Sequence, residues 1–371
     1  MKKLNRGYLL TNPRAILLLR IVDGLGAALF SLKKKRGPPA DTRRILVAKI
    51  DHLGDVLMSL HALPALKRDF PNARVHFVCG RWARDLVAGN PRIDRVFFYD
   101  DFRLVRSGGL WTRLVRSARD AAALLRAMLR ERYDLALDFR SYYPNGLPLL
   151  ALGSPRCLAG FPTGGFGFLL DRAAAWREGV HETEHFFDLL GTVSPEGRAQ
   201  DREDPGLGYL EDAPACEAFL DSIGAAGGGR LVLVHAFCRR SFLSGMKHWR
   251  TEEWKKVVRG ILESGRTVLC TGDADDAPLV EELAAGTGAK NVAGKTSLAV
   301  LSGLIRRAEL CLTIDTFFSH LAAGLGARTV VIFNDAEPVR QWGPWGERVS
   351  TLPIDCSARD MMEKAGIGSH A

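Results

Sequence analysis

Residues 44–71, RILVAKIDHLGDVLMSLHALPALKRDFP, decide how the chain folds. Ile45–Ile50 is an apolar run of strand length. A turn containing Gly54 follows, and then a helical pattern from about Val56 to Arg68. A strand feeding a helix through a short turn opens a βαβ unit, whose strands pair in parallel. The same alternation continues outward. Val75–Cys79 reads as a strand, Arg81–Ala88 as a helix and Val96–Tyr99 as a strand. A long helical pattern from Leu110 to Arg132 then leads into a strand at Leu135–Phe139. These periods predict a parallel sheet covered by helices on both faces.

After a polar stretch, Ser194–Pro214, the alternation starts again. Strands are expected at Leu231–His235, Arg266–Thr271, Leu310–Ile314 and Thr329–Phe333. Helices are expected at Glu252–Ser264, Ala277–Ala285, Ser297–Arg307 and Ser319–Leu325. At 371 residues the chain is too long for one ordinary core. The expected class is α/β, with two Rossmann-like domains facing across a cleft where ligands bind beyond the carboxyl ends of the strands. The expected boundaries are a surface segment at 1–40, a first domain at 41–200, a linker at 201–228, a second domain at 229–345 and a tail or helix at 346–371.

With 47% hydrophobic and 25% charged residues, the composition excludes a disordered or fibrous chain. The net charge of +9 is unevenly placed. Residues 1–200 hold 32 Lys and Arg against 19 Asp and Glu, whereas residues 201–371 hold 19 against 23. A basic first half suits an anionic partner, and equally an ordinary solvated face. Many arginines lie in 103–132, but no nucleic-acid motif or interleaved aromatics accompany them, so no nucleic acid is expected as a partner. The seven cysteines are scattered and never spaced C-x-x-C, which argues against a disulfide framework and a zinc site and for a reducing, cytoplasmic compartment.

Residues 13–36, PRAILLLRIVDGLGAALFSLKKKR, have Arg20 and Asp23 inside their apolar run. A spanning helix needs about 20 mostly apolar residues, and a signal peptide needs a small-residue cleavage site that is missing here. The expected role is an amphipathic helix on an anionic membrane, with Lys33, Lys34, Lys35 and Arg36 at the headgroups. A helix packed on the protein's own surface is the alternative.

Chemistry gathers at two turns. Gly54 and Asp55 follow the first strand, where a carboxylate can cap the helix and still face a ligand. In LCLTIDTFFSHLAAGLGARTVVIFNDAEP, residues 310–338, a strand ends at Asp315 and Thr316 and a helix starts near Ser319 and His320. The N–H groups of a helix start make a natural diphosphate site. Lys247 in MKHW, from the loop after the first strand of this half, adds a full charge beside the same phosphates. In DADD at 273–276, the carboxylates of Asp273, Asp275 and Asp276 suit a donor ribose or a solvated loop.

Four segments in order bring a family into view. LGDV at 53–56, KHW at 247–249, AGKTSL at 293–298 followed by LIRRAEL, and IDT with SHLAAGLG at 314–326 resemble the heptosyltransferases of lipopolysaccharide core assembly, glycosyltransferase family 9. The resemblance covers roughly residues 44 to 345. It implies a GT-B architecture, an acceptor domain followed by a donor domain, inverting transfer and no cofactor or required metal. By position Asp55 corresponds to the family's proposed general base. Lys247, which also counts as catalytic here, and the Asp315, Thr316, Phe317, Phe318, Ser319, His320 loop correspond to diphosphate-binding groups. Asp275 and Leu298 complete the expected donor-binding set. The implied partners are a nucleotide-diphosphate sugar, with ADP-heptose first, an anionic glycolipid acceptor and the inner face of the inner membrane. Phe317 and Phe318 depart from the family's small residue after Asp-Thr, and crowding of the diphosphate or an altered sugar pocket is expected from their bulk.

Other motifs carry less. HETEH at 181–185 has the zinc-protease spacing, but no third ligand motif follows, and an interdomain helix is expected. GFPTGGFGF at 160–168 does not open a βαβ unit, which argues against a nicotinamide site. A nucleotide-sugar epimerase of the same fold and a non-catalytic nucleotide-sugar-binding protein are the alternative functions.

Overall fold

The computed structural model describes residues 5, 7–105, 107–142, 145–194, 205–226, 230–239, 249–334 and 336–367. They divide into two compact units, Met1–Pro205 and Gly206–Ala371.

In the first unit, β1 (Arg44–Ala48), β2 (Arg74–Cys79), β3 (Arg95–Phe98), β4 (Leu135–Asp138), β5 (Cys157–Gly160) and β6 (Arg172–Ala173) form a parallel sheet in the order β3-β2-β1-β4-β5-β6. β1 pairs with both β2 and β4, so strand order reverses beside it, and such a switch point is where open α/β sheets bind ligands. The helices are α1 (Pro13–Leu29), α2 (Leu53–Leu60), α3 (Leu63–Asp69), α4 (Arg84–Val87), α5 (Leu110–Glu131), α6 (Leu147–Leu152) and α7 (Glu182–Val193). The single helix expected over 56–68 is two. Pro64 lies in the first turn of α3, where its missing N–H leaves no helical bond unmade. Leu46, Ala136 and Leu158 of the sheet pack with Leu124 and Met128 of α5 and with Leu147 and Leu150 of α6.

α1 is docked on this unit by one side. Ile16 and Leu19 are buried with Tyr8, and Phe166 packs against them. Asp23 accepts hydrogen bonds from the Tyr8 hydroxyl at 2.7 Å and from the Phe166 N–H at 2.7 Å. Gly165 takes a left-handed φ of +84° there, and a Cβ on it would lie 2.8 Å from Leu19. The Gly-rich segment is thus the seat of α1. The other side of α1 is bare, with Leu17, Leu18, Ile21, Leu25 and Leu29 all exposed. Two of the four basic residues after it also make bonds within this unit. Lys33 bonds Asp171 at 3.2 Å and the Leu169 carbonyl at 2.9 Å, and Lys35 donates to the Leu170 carbonyl. Among the described residues no helix is long and apolar enough to cross a membrane.

The second unit repeats the topology. β7 (Leu231–His235), β8 (Thr267–Cys270), β9 (Lys290–Asn291), β10 (Leu310–Ile314), β11 (Thr329–Phe333) and β12 (Val349–Pro353) form a parallel sheet in the order β12-β11-β10-β7-β8-β9, with its switch point between β7 and β10. The chain is therefore α/β with two Rossmann-like halves, the GT-B class. Its helices are α8 (Ala213–Ser222), α9 (Thr251–Glu263), α10 (Ala277–Ala284), α11 (Leu298–Arg307), α12 (Phe317–Gly324), α13 (Ala336–Trp342) and α14 (Ala358–Lys364). Residues 213–222, inside the stretch expected as a linker, form α8, which packs on α11. Arg307 reaches from α11 to Glu211 at 3.0 Å and Glu217 at 2.6 Å. Residues 349–364, inside the expected tail, supply the edge strand β12 and α14, which packs on α9.

Because Asp23 alone holds both Tyr8 and the Phe166 backbone, Asp23→Ala is expected to release α1 at a cost of about 1.5–3 kcal/mol for hydrogen bonds to a charged group. Limited proteolysis should then cut within 13–36 well before the wild type is cut there, while the rest of the first unit stays resistant. Equal cleavage rates at those sites would show that Asp23 does not secure the helix.

Candidate active site

The carboxyl ends of β1 and β4 converge on a buried charge cluster. Lys49 and Asp51 follow β1 and are both fully buried, with Nζ and Oδ2 3.2 Å apart. Lys49 also lies 4.0 Å from Glu182, donates to the Phe139 carbonyl at 3.2 Å and sits over the Phe186 ring. Burial by itself would lower the Lys49 pKa, but Asp51, Asp55 and Glu182 outweigh it and hold the ammonium above its ordinary value. Past β4, Arg140 approaches Asp51 at 3.7 Å and donates to the Ile50 carbonyl at 2.9 Å, and the Tyr142 hydroxyl donates to Asp51. Burial and the nearby Asp51 and Asp55 charges keep Tyr142 protonated, far above its ordinary range. Asp138, at the end of β4, is pushed up to about 6 by burial, against hydrogen bonds from the Arg140 and Gly146 N–H groups.

This cluster fixes the entry to α2. The Asp51 carboxylate accepts from the His52 N–H at 3.0 Å, and its carbonyl accepts from Trp82 Nε1 at 2.8 Å. His52 occupies the cap position, and Gly54 and Asp55 are the second and third residues of the helix. Gly54 is therefore helical, where a turn was expected, and Asp55 is not the cap residue. Asp55 stands half-buried in the first turn, at the carboxyl edge of the sheet beside the switch point. Asp55 belongs electrostatically to the same group, since it raises both Lys49 and Tyr142.

HETEH belongs to this cluster too. His181 caps α7, accepting from the Thr183 N–H at 3.1 Å. Glu182 accepts from Ser141 at 3.2 Å and meets His185 at 3.3 Å. His185 stacks on Trp176, with Nε2 3.0 Å from the Arg177 carbonyl. The motif is spent on packing within the first unit. Among the described residues no three His, Cys, Asp or Glu side chains are grouped to hold a metal ion.

In the second unit the donor-loop residues lie at the end of β10. Asp315 continues the strand, its N–H bonded to the Ile332 carbonyl at 3.1 Å. Thr316, extended at φ −146°, is the cap residue of α12, and its Oγ1 is buried without a hydrogen-bond partner among the described residues. The leading N–H groups of this helix have no intrahelical acceptor, as at any helix start. The Phe318 ring is buried flat against His235, with centroids 4.7 Å apart and planes at 6°. Ser319 is fully buried, and its hydroxyl closes back on the Thr316 carbonyl at 2.7 Å. Phe317 is half-buried and His320 buried. Burial pushes His235 down to about 4, opposed by Asp273, so a neutral ring stacks on Phe318 and lies 3.0 Å from the Thr271 hydroxyl.

The loops after β7 and β8 are tied together. Asp276 accepts from the Arg239 N–H at 2.8 Å, and Asp273 accepts from the N–H groups of Asp275 and Asp276 at 2.8 and 3.1 Å. Asp275 is exposed. Gly294 of AGKTSL takes φ +70° and packs on this loop, where a Cβ would lie 2.9 Å from the Ala274 backbone. Leu298 opens α11 behind the Ser297 cap and is half-buried. Lys247 lies outside the described residues. Trp249, two residues on, is buried against Trp254 and donates to the Cys356 carbonyl at 3.0 Å.

Lys49, Asp51, Asp138, Arg140, Tyr142 and Glu182 had no place in the expected site. Their signal was available in VAKID and LDFRSY, where charges follow apolar strands directly. Removing one partner of a buried ion pair costs about 3–5 kcal/mol. Lys49→Met is therefore expected to destabilise the first unit by that much in urea unfolding. A loss under 1 kcal/mol, on the scale of a surface ion pair, would mean that the cluster is solvated.

Residues 122–365 match glycosyltransferase family 9 (heptosyltransferase). Lipopolysaccharide heptosyltransferase 3 of Escherichia coli is 22% identical over 308 residues, covering 80% of this chain and 83% of that protein. Lipopolysaccharide heptosyltransferase 1 of Pseudomonas aeruginosa is 26% identical over 309 residues, covering 80% and 79%. The structure of E. coli heptosyltransferase WaaC with ADP superposes with a TM-score of 0.70 at 18% identity, covering 87% of this chain and 99% of that one. That of E. coli ADP-heptose lps heptosyltransferase II gives 0.68 at 17%, covering 87% and 97%. With more than half of its length matched, the chain belongs to glycosyltransferase family 9, the heptosyltransferases.

Proposed function

We propose that this protein transfers a heptose from ADP-heptose to a hydroxyl of an anionic lipopolysaccharide-core glycolipid, with inversion at the anomeric carbon. The observation that carries the reading is Asp55, half-buried in the first turn of α2 beside the switch point of a family 9 chain. Asp55 takes the acceptor's proton as its oxygen bonds to the anomeric carbon. The carbon–oxygen bond to the diphosphate breaks, and ADP leaves with the electron pair. The start of α12, capped by Thr316, and Lys247 stabilise the growing negative charge. The Thr316 hydroxyl, buried and unpartnered, suits a diphosphate oxygen as its acceptor. The relatives' names support the donor, since related structures hold ADP and ADP-2-deoxy-2-fluoro heptose.

The bare apolar side of α1 supports a peripheral place on the inner face of the inner membrane, on the cytoplasmic side, where a lipid-anchored acceptor presents its sugars. The epimerase and binding-protein readings are not favoured. The binding-protein reading rested on Phe317 and Phe318, and the Phe318 ring packs on His235.

Asp55→Asn keeps the shape of the side chain. It is expected to fold and bind ADP like the parent and to lose roughly 10² to 10⁴ in transfer rate, the usual cost of a lost general base. Transfer within a few-fold of the parent would remove Asp55 from that role. Lys247→Ala should weaken ADP binding and slow transfer together, because a full charge leaves the phosphates. Unchanged affinity and rate would remove Lys247 from the site.

A further inference from the structure

Every large apolar side chain exposed among the described residues lies on α1 and the turn after it, on α5, or at Leu152 ending α6. α5 and α6 share an apolar seat on the sheet, and Phe166 packs both against that seat and against the residues under α1. The densest exposed group outside α1 is in the first two turns of α5, where Leu110, Trp111 and Val115 are 55%, 80% and 59% exposed.

Position and charge both set this group apart. A helix that returns between parallel strands runs against them, so the start of α5 stands at the carboxyl edge of the first sheet, the edge that also carries Asp55. The two acids of α5 are turned away, Asp120 onto Arg81 at 2.8 Å and Glu131 onto Arg95 at 3.2 Å. Arg116 and Arg119 are exposed next to the apolar group, Arg116 reaching back to Asp100 at 4.0 Å and Arg119 standing out on the helix. An aromatic and aliphatic tip ringed by cations matches the boundary between acyl chains and anionic headgroups.

We propose that Leu110, Trp111 and Val115 insert into an anionic bilayer, with Arg116 and Arg119 on headgroup phosphates. This second contact holds the carboxyl edge of the first sheet at the lipid surface. It extends the membrane contact proposed for α1 and uses different residues, so either contact can fail alone. A second copy of the chain is the competing occupant, and the exposed cationic charge of Arg119, repeated on both copies, disfavours it.

The test is co-sedimentation of the full chain with phosphatidylcholine vesicles, with and without phosphatidylglycerol. The combined variant Leu110→Ser, Trp111→Ser, Val115→Ser should bind the anionic vesicles about tenfold or more weakly, with unchanged thermal unfolding and ADP binding. Trp111→Phe should lose most of the fluorescence quenching that brominated lipids cause in the parent. A parallel α1 variant, Leu17→Ser, Leu18→Ser, Leu25→Ser, reads the other contact. Full vesicle binding by the α5 variant overturns the inference, and loss in the α1 variant alone would leave only the α1 contact standing. A change from dimer to monomer in the α5 variant with vesicle binding intact would assign the surface to a second copy.

Discussion

The ion pair of Lys49 and Asp51 is the constraint around which the first unit is arranged. Both groups are out of water, and an isolated charge there would cost many kcal/mol. Each extra partner is therefore a structural requirement. Glu182 brings α7 to the ammonium, while Arg140 and Tyr142 bring the segment after β4 to the carboxylate. The remaining capacity of Asp51 is used on the His52 N–H, which begins α2. Asp55, the proposed base, is thereby carried on a helix whose first turn has little freedom. Preorganisation of this kind is how a proton acceptor is held ready without reorganising during the reaction.

The second unit reaches rigidity by a different route. At its switch point the buried residues are mainly neutral, with a neutral His235 stacked on Phe318 and Ser319 closed back on Thr316. Such a turn offers N–H groups and a helix dipole to an anion and presents few competing charges. One half thus concentrates buried charge at a carboxylate, and the other keeps its helix start electrically open. That division fits a reaction in which one partner loses a proton and the other departs as an anion.

Much of this was legible in the sequence, for particular reasons. Long apolar strands such as Leu310–Ile314 and the helix from Leu110 announce themselves by period, and Asp55 and the Thr316 turn by their place after strands. Short elements did not. β6 and β9 have two residues each, too few for a period to show. The break at Leu60 needs Pro64 to be seen as a helix start. The packing of Phe318 was not legible because a side chain's direction at a helix start depends on the partner it finds, here His235, which lies 83 positions earlier in the chain. Lys49 and Glu182 were missed because their meeting joins β1 to α7 across the fold, and no local pattern records it.

On the proposed function, the chain moves a sugar from a nucleotide diphosphate to an acceptor. The most direct measurement follows ADP release and acceptor mass together, with ADP-heptose as donor and a heptose-deficient lipopolysaccharide core as acceptor. ADP should appear only when both substrates are present, in step with a mass gain of one heptose on the acceptor. Donor turnover at the same rate without acceptor, or ADP binding with no acceptor product, would contradict the account.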